Sequence, residues 1–318
     1  MDERLRQWCA AQLAVAEERL APAENVAGDA SFRCYYRLRL DDGRSYIVMD
    51  APPDKVASQP FVDVANRLRT AGVRAPGIVA CDLAQGWMLL EDLGDELYKQ
   101  AFKGGDSAAL MAQIFDVLEV QATAVAPEGL ESYSRGKLQI ELDLFPDWYL
   151  DVERRNPFSE AERAQWNHLC RLLCDSAAEQ PQVFVHRDFH SCNLMYLGGA
   201  APGVIDFQDA VLGPLTYDLM SILLDRYIGW PRPRLEAWME EFRQRVAPEV
   251  DAHCWQRWCD LMGLQRNFKI IGIFARLSHR DNKSGYLELI PRFAGYVRDV
   301  LNRYAEFQDY LPLLEHRL

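Results

Sequence analysis

Apolar residues recur at helical intervals over residues 2–20, at Leu5, Trp8, Leu13, Ala16 and Leu20, and Pro22 closes the pattern, so the chain is expected to open on an α-helix. The period then changes to two. Phe32, Cys34, Tyr36, Leu38 and Leu40 alternate with Arg33, Tyr35, Arg37 and Arg39, which predicts a half-buried strand. Asp41-Asp42-Gly43-Arg44 supplies turn chemistry before a second strand at 46–49, and the pair reads as a hairpin. A helix over 55–71 follows, with Phe61, Val64 and Leu68 on one face and Ala71-Gly72 at its end. Two more strands are expected at 78–81 and 87–90.

From about residue 95 the pattern is mostly helical, beginning with Leu110, Ile114, Leu118 and Ala122 spaced four apart. Ser159-Glu160-Ala161-Glu162 forms a capping box that opens a helix carrying Trp166, Leu169, Leu173 and Ala177. Short apolar runs at 183–185, 194–197 and 204–205 interrupt the helices, and helical spacing resumes near 217–228, 233–246, 251–279 and 291–306. The result is an α+β chain with an N-terminal lobe at 1–92 and a mostly helical lobe at 93–318.

Composition narrows the partners. The 318 residues are 49% hydrophobic, enough for a sizeable core in two domains or lobes. A net charge of −12 tells against nucleic acid or an anionic membrane, since both demand clustered Lys and Arg. The start, Met1-Asp2-Glu3-Arg4, lacks a signal-peptide core, and no run of about 18 apolar residues is present. A cytoplasmic protein, monomeric by default, is the expectation. The eight cysteines include no C-x-x-C and lie mostly in apolar patterns, which favours reduced core thiols over disulfides or zinc.

The chemistry concentrates in Val185-His186-Arg187-Asp188-Phe189-His190-Ser191-Cys192-Asn193 and Val204-Ile205-Asp206-Phe207. Asn193 follows Asp188 by five residues and Asp206 follows it by eighteen, with short apolar runs on either side. A loop Asp can accept a proton from an attacking hydroxyl, while Asn and a second Asp offer hard oxygens suited to Mg²⁺ beside the phosphates of ATP. Asp188 is therefore the candidate catalytic base, and Asn193 and Asp206 are the candidate metal ligands. The bland alternative, a solvated Asp at a strand end, does not account for four fixed identities at two fixed intervals. His186 reads as a packed histidine under the loop, His190 could face the metal or the solvent, and Asp218 at a helix start reads as structural. For ATP, Gly28-Asp29-Ala30-Ser31 is a candidate phosphate loop leading into Phe32 and Arg33, and Glu91 to Leu93 could meet an adenine edge through the backbone. Only about ten residues separate Asp206 from the helix expected near Thr216, which leaves no room for a long activation segment. A small-molecule hydroxyl is the better acceptor.

These blocks resemble the aminoglycoside phosphotransferase and choline kinase superfamily, which implies a two-lobed protein-kinase-like fold. Gly28-Asp29-Ala30-Ser31-Phe32-Arg33, Tyr46-Ile47-Val48-Met49-Asp50-Ala51-Pro52-Pro53, Leu89-Leu90-Glu91-Asp92-Leu93-Gly94, Ile205-Asp206-Phe207-Gln208-Asp209-Ala210 and Gly272-Ile273-Phe274-Ala275-Arg276-Leu277 further resemble its bacterial anomeric kinases of amino sugars. That likeness implies ATP-dependent phosphorylation of the C1 hydroxyl of N-acetylmuramate or N-acetylglucosamine in cell-wall recycling. Glu141, Asp209, Arg276 and Arg280 are the candidate sugar contacts, with an internal salt bridge or an exposed helix charge as the alternative for Glu141, Arg276 and Arg280. One departure stands out. Met49 occupies the place of the usual strand Lys, and the helix at 55–71 has no Glu to pair with one, so another cation must hold the phosphates. Arg33 is the first candidate, with Arg37 and Lys55 behind it. A kinase of another small hydroxyl compound, aminoglycoside or choline-like, and a non-catalytic nucleotide-binding regulator are the competing readings.

Overall fold

A computed structural model describes residues 1–26 and 32–318, so the candidate phosphate-loop residues Gly28, Asp29, Ala30 and Ser31 lie outside the described residues. Packing divides the chain into two units, Met1–Val120 with Cys192–Asp209 and Gln121–Ser191 with Ala210–Leu318. The expected lobe at 1–92 is contained in the first unit, which also takes in 93–120 and 192–209. No helix among the described residues is long and apolar enough to cross a membrane.

The first unit begins with α1 (Glu3–Leu13), whose first turn is capped by Asp2 accepting from the Leu5 amide at 2.8 Å. α1 stops well short of residue 20. Ala14 turns left-handed at φ 52°, the Arg6 guanidinium collects the carbonyls of Glu17 and Ala21, and Leu20 is buried through a bridge to Leu40 instead. The helical spacing of Leu20 was therefore coincidental with its burial on a sheet.

That sheet joins β1 (Glu24–Asn25), β2 (Cys34–Arg39), β3 (Ser45–Asp50), β4 (Ile78–Asp82) and β5 (Trp87–Glu91) in the order β1-β2-β3-β5-β4, every pair antiparallel. Leu5 and Cys9 of α1 share one core with Leu38, Val48 and Leu89 from the sheet. α2 (Gln59–Thr70) buries Phe61, Val64 and Leu68, as the spacing predicts. α3 (Tyr98–Gly104) and α4 (Ser107–Thr123) follow. A small hairpin of β7 (Leu194–Met195) and β8 (Gly203–Val204) completes the unit, held by Arg74↔Gly203 and Leu97↔Met195 bridges.

In the second unit, β6 (Gln182–Val185) pairs antiparallel with β9 (Val211–Pro214). Around this pair stand α5 (Arg135–Leu144), a π-helix (Phe145–Glu153), α6 (Glu160–Glu179), α7 (Tyr217–Leu223), α8 (Arg232–Val246), α9 (Ala252–His279), α10 (Ile290–Arg303) and α11 (Leu311–Leu314). The capping box at Ser159 and Glu162 is present. α9, 28 residues long, packs against α5, the π-helix, α6, α7, α8 and α10. Phe268 of α9 meets Trp166 edge-on at 4.9 Å and Phe145 at 5.0 Å. All eight cysteines are free, and burial pushes the Cys170 thiol up to about 12, far from the thiolate that a metal would need.

α9 approaches the end of α5 so closely that a Cβ on Gly272 would stand 2.3 Å from the Leu144 carbonyl carbon and 2.4 Å from its oxygen. Backbone cannot yield as a flexible side chain does. Gly272→Ala should therefore cost about 1–3 kcal/mol from overpacking and lower the thermal unfolding midpoint by several degrees. Gly295→Ala, within α10 and with nothing in reach of its Cβ, should be neutral or stabilising by up to about 1 kcal/mol. Equal midpoints for the two variants would remove the close-approach argument.

Candidate active site

The catalytic-type loop leaves β6 at Val185 and turns at once. The amides of His186 and Arg187 both donate to the Asp218 carboxylate, at 2.6 and 3.1 Å, and Arg187 adopts φ 77°. Two successive N–H groups thus face one anion, and a non-glycine accepts a left-handed conformation where surrounding contacts impose it. Asp218 is the second residue of α7, at its positive end, and burial raises its pKa even though the His186 charge and these amides oppose the shift. Asp225 grips the other side of the loop, accepting from the Ser191 amide at 2.8 Å and from the Tyr227 amide at 2.6 Å.

Asp188 lies between these two anchors, with its side chain at the surface. Nearby protein hinders its hydration and pushes its pKa up, but Lys269, His190, His186 and Arg266 outweigh this and hold the carboxyl below the usual carboxylate range. Its carbonyl accepts from the His190 amide at 3.0 Å. His190 takes a hydrogen bond from Arg226 at Nε2, 2.8 Å, so that nitrogen is an acceptor and the ring is neutral. Burial, followed by the Arg226 charge, brings its pKa down to about 4. His186 is fully buried and edge-on to Phe189, which bears out its reading as a packed residue.

Glu141 is not displayed as a sugar contact. It is buried on α5, and its Oε1 accepts from Arg187 at 2.8 Å and Lys269 at 2.9 Å, while its Oε2 accepts from Tyr133 and, at 3.3 Å, from Gln265. Burial would raise its pKa, yet Lys269, Tyr133 and Arg187 together keep it low. Lys269 also donates to the Tyr217 hydroxyl at 3.0 Å. Arg266, one turn earlier on α9, donates to the Arg187 carbonyl at 3.3 Å and to Ser221 at 2.7 Å. The sequence reading missed Arg266 and Lys269. Their signal was present as two cations three residues apart on a long helix otherwise rich in apolar residues. Arg280 is exposed and bound through two nitrogens to its neighbour Asp281, whereas Arg276 is half-buried.

In the first unit, Asn193 and Asp206 come together across the β7–β8 hairpin. Asn193 Nδ2 donates to Asp206 Oδ2 at 3.2 Å, and the Asn193 carbonyl accepts from the Ile205 amide at 3.0 Å. Asp206 is left-handed, φ 63°, and Gln208 donates to its Oδ1 at 2.8 Å. Phe207 anchors the turn by packing on Phe61 of α2, ring centroids 4.8 Å apart. Asp209 is exposed and accepts from Gln208 at 3.4 Å.

The candidates for nucleotide contact separate by their partners. Arg37 is buried and bound by both oxygens of Asp92, at 2.7 and 2.9 Å, and by Asp95, so this cation tethers β2 to the segment after β5 and is not offered to phosphate. Lys55 is exposed beside Asp54. Met49 is fully buried between Tyr35 and Met88 of the flanking strands. The Glu91 amide donates to the Gly77 carbonyl at 2.8 Å and its carboxylate accepts from Arg74 and the Gly77 amide, which withdraws that N–H from an adenine edge. Leu93 packs near Gly203, Phe32 is exposed, and Arg33 is buried.

Comparison with known proteins agrees with this chemistry. Residues 22–258 match the phosphotransferase enzyme family. An N-acetylmuramate/N-acetylglucosamine kinase of Pseudomonas aeruginosa is 40% identical over 98% of this chain and 95% of its own length, and that of Pseudomonas putida is 40% identical over 91% and 86%. The kinase of that name from Neisseria meningitidis is 37% identical over 91% of this chain and 88% of its own. Among solved structures, choline kinase LicA from Streptococcus pneumoniae superposes with a TM-score of 0.68 at 13% identity, covering 95% of this chain and 99% of its own. ADP-bound aminoglycoside phosphotransferase APH(2'')-Ib does so at 0.61 and 13%, covering 94% and 97%. The first likenesses carry the relationship and the last two the fold: this chain is a kinase belonging to the phosphotransferase enzyme family.

Proposed function

We propose that the chain uses ATP to phosphorylate the anomeric C1 hydroxyl of N-acetylmuramate, N-acetylglucosamine or both. The names of the relatives at 37–40% identity support the choice of sugar, and the ADP-bound neighbour supports nucleotide use. The observation that carries the reading is the ionised Asp188, held in a loop pinned by Asp218, Asp225 and Arg266. In the reaction, the C1 oxygen forms a bond to the γ-phosphorus, the bond from that phosphorus to the β–γ bridging oxygen breaks with its electron pair leaving on ADP, and the C1 hydroxyl proton passes to Asp188.

Asn193 and Asp206 supply one amide and one carboxylate, hard oxygens of the kind Mg²⁺ takes alongside phosphates and water, and the Gln208 hydrogen bond fixes the carboxylate. Mg²⁺ bound there would supply positive charge to the β- and γ-phosphates. Arg33 remains the candidate phosphate cation, two positions after Ser31 in the sequence. Arg276, half-buried on α9, is the remaining cation of the sugar set for a lactyl carboxylate.

Three outcomes follow. With Mg-ATP and a panel of N-acetylmuramate, N-acetylglucosamine, kanamycin-type and choline acceptors, ADP release should depend on an amino sugar, phosphorus NMR should place the phosphate on C1, and Asp188→Asn should lower kcat by about 10²–10⁴-fold. A phosphate on C6, or an Asp188→Asn enzyme near wild type, would refute the anomeric assignment or the base assignment respectively. Arg33→Ala should raise the ATP KM or lower kcat by about tenfold, some 1.4 kcal/mol, and unchanged kinetics would return the phosphate contact to another residue. The third concerns pH. The folded His190 pKa of about 4 lies below its ordinary 6.5, so between these values the unfolded chain binds the proton first; stability is fully present above 6.5 and declines toward 4. His190→Gln should flatten the fall in thermal midpoint between pH 7 and pH 5, and a variant with the same fall would show that other groups cause it.

A further inference from the structure

The cluster beneath Arg187 is costly to build, and apolar residues are an alternative to it. Lys269 and Glu141 are each about 12% exposed through their side chains, and they share the site with Tyr133, Tyr217, Gln265 and Arg187. A buried ion pair replaced by apolar residues of similar volume is often neutral or more stable, so stability does not by itself account for this one. Its contacts have a common destination instead. Glu141 fixes the Arg187 guanidinium, which lies over the Tyr133 ring at 5.4 Å, and Arg266 fixes the Arg187 carbonyl, which belongs to the peptide joined to Asp188. Tyr217 receives Lys269 at its hydroxyl, lies under the Arg266 guanidinium at 4.4 Å, and precedes Asp218, which holds the Arg187 amide. The amide, the carbonyl and the side chain of Arg187 are thus tied to α7, α9 and α5 respectively, and a left-handed residue persists where contacts over-determine it.

We propose that Lys269, with Glu141 as its counter-charge, is a positioning residue for phosphoryl transfer, holding the Arg187–Asp188 peptide so that the Asp188 carboxylate is presented to the acceptor hydroxyl. Lys269 is the member that connects the three supports, because its ammonium joins Glu141 of α5 to Tyr217 of α7 from its own place on α9. The inference rests on the kinase reading above, through Asp188, and does not depend on which hydroxyl compound is the acceptor. It also recasts Glu141 as a support for the loop where the sequence suggested a sugar contact.

The test uses the acceptor that wild-type enzyme turns over fastest. Lys269→Met should lower kcat about 100-fold while leaving both KM values within about threefold, since misplacing a catalytic group by about 1 Å costs rate and leaves ground-state binding intact. Lys269→Arg, which keeps the charge and its donors, should recover at least about a tenth of wild-type kcat. Because removing one member strands the other as a buried charge, the double variant Lys269→Met/Glu141→Gln provides a folded protein without the pair, and its kcat should stay as low. Three results would overturn the proposal: a double variant with kcat within about threefold of wild type, a Lys269→Arg enzyme no better than Lys269→Met, or a Glu141→Gln enzyme altered in sugar KM alone. Wild-type enzyme inactive on every acceptor would refute the kinase reading instead, and amide exchange at residues 186–191 then decides the positioning claim: faster exchange in the double variant supports it, and unchanged exchange overturns it.

Discussion

The arrangement at the centre of the second unit depends on one carboxylate receiving two consecutive amides. Asp218 is buried, and its anion is costly there unless donors are aimed at it. His186 and Arg187 provide them, and Arg187 then turns left-handed. That conformation redirects the chain at the end of β6 and brings out Asp188 in place of continuing the strand. An apolar residue at 218 would leave the buried His186 amide and the part-buried Arg187 amide without an acceptor, a loss of about 1–3 kcal/mol for the buried one, so the loop geometry and the carboxylate stand or fall together. The rest of the support follows from the same constraint, since a strained residue needs holding at its other groups too.

Much of this was legible in the sequence, for identifiable reasons. Period-3.6 patterns located α2, α6, α8 and α10 because each has one face in a core, where side-chain burial enforces the spacing, whereas β5 and most of α9, buried at successive residues, show as continuous apolar stretches. The Asp188, Asn193 and Asp206 spacing was legible because short strands and tight turns separate those residues, leaving little freedom for insertion. α1 was over-extended because burial of Leu20 on a sheet and burial on a helix leave the same letter. Nothing local distinguishes them.

Charged residues were harder to place than apolar ones. Arg37 sits in an alternation that should send it to solvent, yet it is buried because Asp92, 55 positions later, neutralises it. Glu141 reads as a helix charge until Lys269, across α9, is known to meet it. Such pairs are written in no window of sequence, and an ion's environment is decided by its distant partner. Apolar periodicity needs only a core on one side. The fate of a charge needs a named counterpart, which explains why the scaffold was clearer than the supports of the loop.

The electrostatics around Asp188 also bear on the kind of hydroxyl it can serve. Lys269, His190, His186 and Arg266 together hold its pKa below the usual carboxylate range, and lowering a base's pKa weakens its pull on a proton. For an ordinary alcohol that would be a poor arrangement. An anomeric hydroxyl is more acidic, and in a loose transition state the proton is lost late, after bonding to phosphorus has begun. The requirement is then for a carboxylate that is ionised and held in one place, and a tethered Asp near the charges of Lys269 and Arg266 meets it. Lys269 and Arg266, which weaken Asp188 as a base, also keep it ionised as a hydrogen-bond acceptor, an arrangement suited to a hydroxyl whose proton is lost late.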